Sequence, residues 1–115
     1  MEVFLNGEWI PEEQAQVSAF DRGFLYGDGV FETIRIYQGH PFLLERHLGR
    51  LAHGLSGLHI EDPFSFDEWT DRCRELIARN KVSDGILRLY ITRGTGKRGY
   101  SSMGCSSPTV LISLP

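Results

Sequence analysis

Cysteine is scarce. Cys73 and Cys105 are the only two in 115 residues, and their separation matches no zinc or redox spacing and no disulfide framework. Lysine is equally rare: Lys81 and Lys97 stand among twelve cations, the other ten being arginine. Arginine's planar fork suits carboxylate and phosphate, whereas lysine is the residue of Schiff-base chemistry. Positive charge is not in excess. A net charge of −3 leaves no electrostatic footprint for nucleic acid. No long apolar run and no basic N-terminal region occur, so neither a membrane span nor a signal peptide is expected, and the expected compartment is cytoplasmic. Internal repeats and low-complexity tracts are also missing. His40, His47, His53 and His59 are spaced seven, six and six apart, which scatters them over different helix faces and excludes a metal site. No nucleophile elbow is present. The GTGK at 94–97 is not a phosphate-binding loop of the Walker type, because Ile91 stands where its first glycine belongs.

What is present organises as one domain, residues 1–115, with 41% apolar content. Asn6-Gly7 closes a hairpin over 3–10 through the positive φ angles of a type I′ turn. VFETIRIY (30–37) alternates, with Val30, Glu32, Ile34 and Ile36 on one face and Phe31, Thr33, Arg35 and Tyr37 on the other. Gln38-Gly39 turns the chain toward HPFLL. Leu44, Leu48, Leu51, Leu55 and Leu58 then mark one stripe of a helix whose end Gly54 and Gly57 weaken. A second helix opens on the capping box of Ser65 and Glu68 and buries Trp69, Cys73, Leu76, Ile77 and Asn80. Strands ILRLYITR (86–93) and TVLISL (109–114) flank a long Gly/Ser loop. Strands, two helices, then strands predict an α+β fold: a mostly antiparallel sheet with two helices packed on it.

Two glycine-rich stretches invite a functional reading. Gly23, Gly27 and Gly29 precede one strand; Gly94, Gly96, Gly99 and Gly104 follow another. Such segments allow close backbone approach and can offer free amides to an anion, although tight turns account for either stretch alone. Arg50 flanks the leucine stripe and can reach past the core edge toward a pocket or pair on the surface. Arg88, Arg93, Lys97 and Arg98 gather at the second strand-to-loop transition beside Tyr100, a guanidinium–phenol set suited to a carboxylate.

Taken in order, DRGFLYGDGVFETIRIY, FLLERHLGRL and RLYITRGTGKRGYS resemble the N-terminal domain of the class IV (fold-type IV) pyridoxal-phosphate enzymes. These are the branched-chain aminotransferases, the D-amino acid aminotransferases and the 4-amino-4-deoxychorismate lyases. The resemblance covers essentially the whole chain and implies a D-amino acid aminotransferase-like fold, pyridoxal 5′-phosphate as cofactor, a small-molecule substrate and a homodimer. It assigns the cofactor phosphate to Arg50 in HLGRL, and the substrate pocket to Phe31 with Tyr26 nearby. Arg98 and Tyr100 take the places of a basic pair that reaches across the dimer to the substrate carboxylate, and Arg88 matches a strand arginine of the branched-chain enzymes. Tyr100 stands where D-amino acid aminotransferases carry histidine, and RGYS is closest to the lyases, which favours aminodeoxychorismate lyase within the family. The family's Schiff-base lysine and the glutamate facing the pyridinium nitrogen lie in a second domain, and neither Lys81 nor Lys97 occupies that motif. The chain is therefore expected to be the first domain of a two-domain enzyme, holding no catalytic residue itself. The alternative is a non-catalytic ligand-binding or dimerisation module. On the first reading, the Arg50 guanidinium points into a hollow walled by both glycine-rich stretches.

Overall fold

The computed structural model describes residues 1–96 and 107–115. Six strands form one antiparallel sheet: β1 (Glu2–Leu5), β2 (Glu8–Pro11), β3 (Gly29–Tyr37), β4 (His40–Pro41), β5 (Gly85–Thr92) and β6 (Thr109–Ser113), in the order β2-β1-β6-β5-β3-β4. The expected α+β architecture is what forms, with one addition. Three α-helices occur among the described residues, α1 (Arg22–Tyr26), α2 (Leu44–Leu58) and α3 (Phe66–Arg79), and α1 arises inside the stretch expected to be a glycine loop.

Local chemistry sets most of the boundaries. Asn6 and Gly7 take φ of 50° and 92°, the left-handed pair that a two-residue hairpin turn requires. Gln38 and Gly39 do the same between β3 and β4, at 49° and 78°. At the start of α3 the Ser65 Oγ accepts from the Glu68 amide at 3.2 Å while Glu68 Oε1 accepts from the Ser65 amide at 2.9 Å. Those bonds hold the Glu68 carboxyl below the usual carboxylate range. Ser65→Ala should lower folding stability by about 1 kcal/mol, checked by urea unfolding beside the parent.

Leu44, Leu48, Leu51 and Leu55 of the α2 stripe are buried as their spacing predicts, whereas Leu58, the last residue of the helix, is exposed. The glycines near its end do not interrupt it, however. The helix runs through Gly54 and Gly57 to Leu58 and stops at His59, which adopts a left-handed φ of 57° and caps Leu55 and Ser56. Gly54 has a packing reason: a β-carbon there would sit 3.0 Å from Val30 Cγ1, so its absence lets α2 settle close on β3.

Both long helices pack on one face of the sheet. Leu48, Leu51 and Leu55 of α2 and Trp69, Cys73 and Leu76 of α3 bury Ile34, Leu87, Leu89 and Ile112. Asn80 ties the far edge down: its Oδ1 accepts from the Glu2 amide at 2.8 Å and its Nδ2 donates to the Glu2 carbonyl at 3.0 Å. Burial pushes the Cys73 thiol up to about 12, so it serves as an apolar filler rather than a nucleophile. Among the described residues no long helix covers the opposite face, and Phe31, Tyr37 and Ile86 remain exposed there.

Candidate functional site

Asp21 begins the glycine segment as the cap of α1, its Oδ1 accepting from the Gly23 amide at 2.8 Å and its Oδ2 from the Thr109 hydroxyl. Gly27 ends the helix with φ 66°. Gly23 and Gly29 abut β5: a β-carbon on Gly23 would collide with Thr92 Cγ2, and one on Gly29 would lie 2.5 Å from the Ile91 carbonyl oxygen. The amides of Gly23, Gly27, Asp28 and Gly29 all donate within the segment. These glycines therefore serve a helix cap and close strand contact, and the expected row of free amides for an anion is not formed there.

Asp28 is the electrostatic centre of this region. Its Oδ2 accepts from Arg22 Nε at 2.9 Å and from Arg93 Nε at 2.7 Å, and its Oδ1 accepts from Arg93 Nη2 at 3.2 Å. Burial raises the Asp28 carboxyl, but the hydrogen bonds and charges of Arg93 and Arg22 outweigh it and hold the group below the usual carboxylate range. Arg93 also donates to the carbonyls of Leu58 and His59 at 2.7 and 3.4 Å. One carboxylate thus joins α1, the end of β5 and the C-terminus of α2. Tyr26 lies under the buried Arg22 guanidinium, 4.9 Å from its carbon to the ring centre.

On the open face Phe31 and Tyr90 are register partners with ring centres 6.3 Å apart. Arg88 Nη1 donates to the Tyr90 hydroxyl at 3.2 Å and Arg88 Nε to Thr33 Oγ1 at 3.3 Å. A cavity of about 390 Å³ opens here, lined by Val17, Phe24, Val30, Phe31, Tyr90 and Leu111 among others. Apolar walls with a few convergent polar groups are what a small-molecule site presents. Two of the expected residues, Phe31 and Arg88, are brought together on this face. Tyr26 stands beside the cavity without lining it, and Arg98 and Tyr100 lie outside the described residues. Tyr90 was missed by the sequence reading; its register opposite Phe31 is a long-range fact.

Arg50 sits elsewhere. Its Nε donates to Glu32 Oε2 at 3.0 Å, and His47 Nδ1 meets Glu32 Oε1 at 2.7 Å. The Glu32 side chain is 5% exposed and that of Arg50 74%. A separate cavity of about 310 Å³ is lined by Leu43, Arg46, His47 and Arg50. The first glycine stretch lines the open-face cavity while Arg50 lies on the helical side, so the expected hollow shared by Arg50 and that stretch is corrected; most of the second stretch lies outside the described residues. The cause is strand alternation, which sends the consecutive residues Phe31 and Glu32 to opposite faces of β3. Glu32 carried a readable signal, an acid on the face otherwise made of Val30, Ile34 and Ile36. Among the described residues no group of histidines, cysteines and acids could hold a metal, and no helix is long and apolar enough to cross a membrane.

The amino-transferase class IV family matches residues 29–115, and the chain belongs to that family. It is 41% identical over its whole length to a putative branched-chain-amino-acid aminotransferase of Methanocaldococcus jannaschii, and 41% identical over 95% of it to the aminodeoxychorismate lyase of Bacillus subtilis. A D-alanine aminotransferase of Staphylococcus aureus is 33% identical over 86% of the chain. The chain spans 40%, 38% and 35% of these relatives' lengths. Among solved structures, 4-amino-4-deoxychorismate lyase from Pseudomonas aeruginosa superposes with a TM-score of 0.79 at 37% identity, over 98% of this chain and 39% of that one. The T.th. branched-chain amino acid aminotransferase complexed with N-(5′-phosphopyridoxyl)-L-glutamate does so at 0.88 and 27%, over 96% and 39%.

Proposed function

We propose that residues 1–115 furnish the cofactor-phosphate anchor and one substrate-facing wall of a two-domain pyridoxal-phosphate enzyme, and that its reaction is the cleavage of aminodeoxychorismate to pyruvate and 4-aminobenzoate. The observation that carries the anchor is Arg50, bound to Glu32 through Nε, which leaves both terminal amino groups for a second anion. With Arg46 lining the same cavity, the pair of guanidinium groups fits a phosphate dianion. When bound, the cofactor supplies an electron sink for the charge left on a substrate carbon. This chain's residues bind and orient: Arg50 holds the phosphate, while Phe31 and Tyr90 form the aromatic side of the substrate pocket, with Tyr26 beside it. Arg88, Arg98 and Tyr100 offer donors to a substrate carboxylate. The exposed apolar face beneath Phe24 and Phe31 suits cover by a second copy in a homodimer. Cytoplasmic residence goes with that reading.

A branched-chain or D-amino acid aminotransferase is the second reading, favoured by the Methanocaldococcus jannaschii relative, whose identity equals that of the lyase. Supplying the full gene product with aminodeoxychorismate and no amino acceptor separates the two. Pyruvate and 4-aminobenzoate should appear together. Amino transfer from leucine or D-alanine to a 2-oxo acid, with no such cleavage, would move the assignment to the transaminases. Absence of both reactions with saturating pyridoxal phosphate would leave a non-catalytic ligand-binding or dimerisation module.

A further inference from the structure

Glu32 occupies a position that the pattern of β3 reserves for the core. Val30, Ile34 and Ile36 share its face, and its side chain is 5% exposed. A carboxylate is rarely buried so deeply unless its oxygens are engaged. Here each oxygen has its own partner from α2: His47 on Oε1 and Arg50 on Oε2. Residues 47 and 50 are three apart, so both reach the same strand position from one helix face. Because a carboxylate only accepts, the proton of this contact sits on His47 Nδ1.

Arg50 itself is mostly in water. An arginine so exposed ordinarily samples many rotamers, and a surface ion pair fixes it poorly. This partner is different, since Glu32 cannot move: it is buried, on a central stretch of β3, and held from its other oxygen by His47. Engaging Nε sets the plane of the guanidinium and keeps its terminal amino groups as a free two-pronged edge, the edge that grips a phosphate. Neither Glu32 nor His47 needs to touch the anion.

We infer that Glu32 and His47 are positioning residues that pre-orient Arg50 for the cofactor phosphate, so that the ordering of the arginine is achieved on folding rather than on binding. The inference rests on the phosphate-anchor reading above. A merely structural Glu32, linking α2 to β3, would give the same hydrogen bonds but not the same coupling.

The test titrates the full gene product, freed of cofactor, with pyridoxal 5′-phosphate and in parallel with pyridoxal, which lacks the phosphate, following absorbance of the bound ring. Arg50→Ala should weaken pyridoxal phosphate binding by roughly tenfold to a hundredfold and leave pyridoxal binding alone. Glu32→Gln and His47→Ala should each cost about threefold to tenfold, again only for the phosphorylated probe. His47→Asn, whose amide nitrogen stands where Nδ1 does and still donates to Glu32, should recover most of the loss. Glu32→Gln combined with Arg50→Ala should be no worse than Arg50→Ala, since both act through one group. Equal losses for pyridoxal, or losses that add in the double variant, would reduce Glu32 and His47 to structural links and overturn the inference while the anchor stands. Unchanged pyridoxal phosphate affinity in Arg50→Ala would remove the anchor and the inference together. His47 is partly exposed, so its variants keep the test open if Glu32→Gln does not fold.

Discussion

Asp28→Ala is expected to cost about 3 kcal/mol of folding stability, against a total of roughly 5–15 kcal/mol for a domain of this size. The variant removes the carboxylate that Arg22 and Arg93 share and leaves two guanidinium groups side by side with side-chain exposures of 5% and 17%. That cost is the low end of what breaking a buried pair does, because Arg93 keeps the carbonyls of Leu58 and His59. The effect also has a pH signature. The carboxyl of Asp28 is depressed in the folded protein, so its contribution is fully present above the unfolded value near 3.8 and is lost as pH falls through the folded one. The gap between parent and variant in urea midpoint should therefore be constant near neutrality and narrow below about pH 4. A gap that widens on acidification would contradict the assignment.

Gly29→Ala should destabilise by about 2–3 kcal/mol, the upper part of the range for overpacking a close contact. The new methyl would lie 2.5 Å from the Ile91 carbonyl oxygen and 3.0 Å from Thr92 Cα. Both are backbone atoms of a strand paired to β3 through eight residues, so they cannot swing away as a side chain would. Gly27→Ala is the control. Nothing lies within 4 Å of its β-carbon, and only its φ of 66° opposes the change, at about 1 kcal/mol. Thermal unfolding of the two variants beside the parent reads the difference. A cost at Gly27 equal to that at Gly29 would mean that turn conformation, not strand contact, explains this segment. The melting of Gly29→Ala also bears on the aromatic cavity, because Gly29 and Val30 line it together with Phe31.

Much of the fold was legible because it is written over short range. Asn6-Gly7 demands a tight hairpin wherever it falls. The leucine spacing of α2 turns one stripe inward whatever lies beneath, and Ser65 with Glu68 satisfies its own amides within four residues. The family resemblance was legible for a related reason: three ordered motifs span most of the chain. Less visible was α1, whose five residues are held by Asp21 and by contacts to β5 rather than by helical periodicity.

By itself, then, the sequence determined the two long helices, the principal strands and most of their inward faces, since each depends on spacing within one helix or strand, and the ordered motifs determined the family. Tertiary structure alone decided the sites. Asp28 and Arg93 are 65 residues apart, Phe31 faces Tyr90 only through the β3–β5 register, and Arg50 found Glu32 because α2 packed on the helical side of the sheet. Alternation says that Phe31 and Glu32 point oppositely. Which of the two directions holds α2 and which stays open follows from burying the leucine stripe against Ile34, Leu87 and Leu89, and that placed the cationic cavity and the aromatic one on different faces.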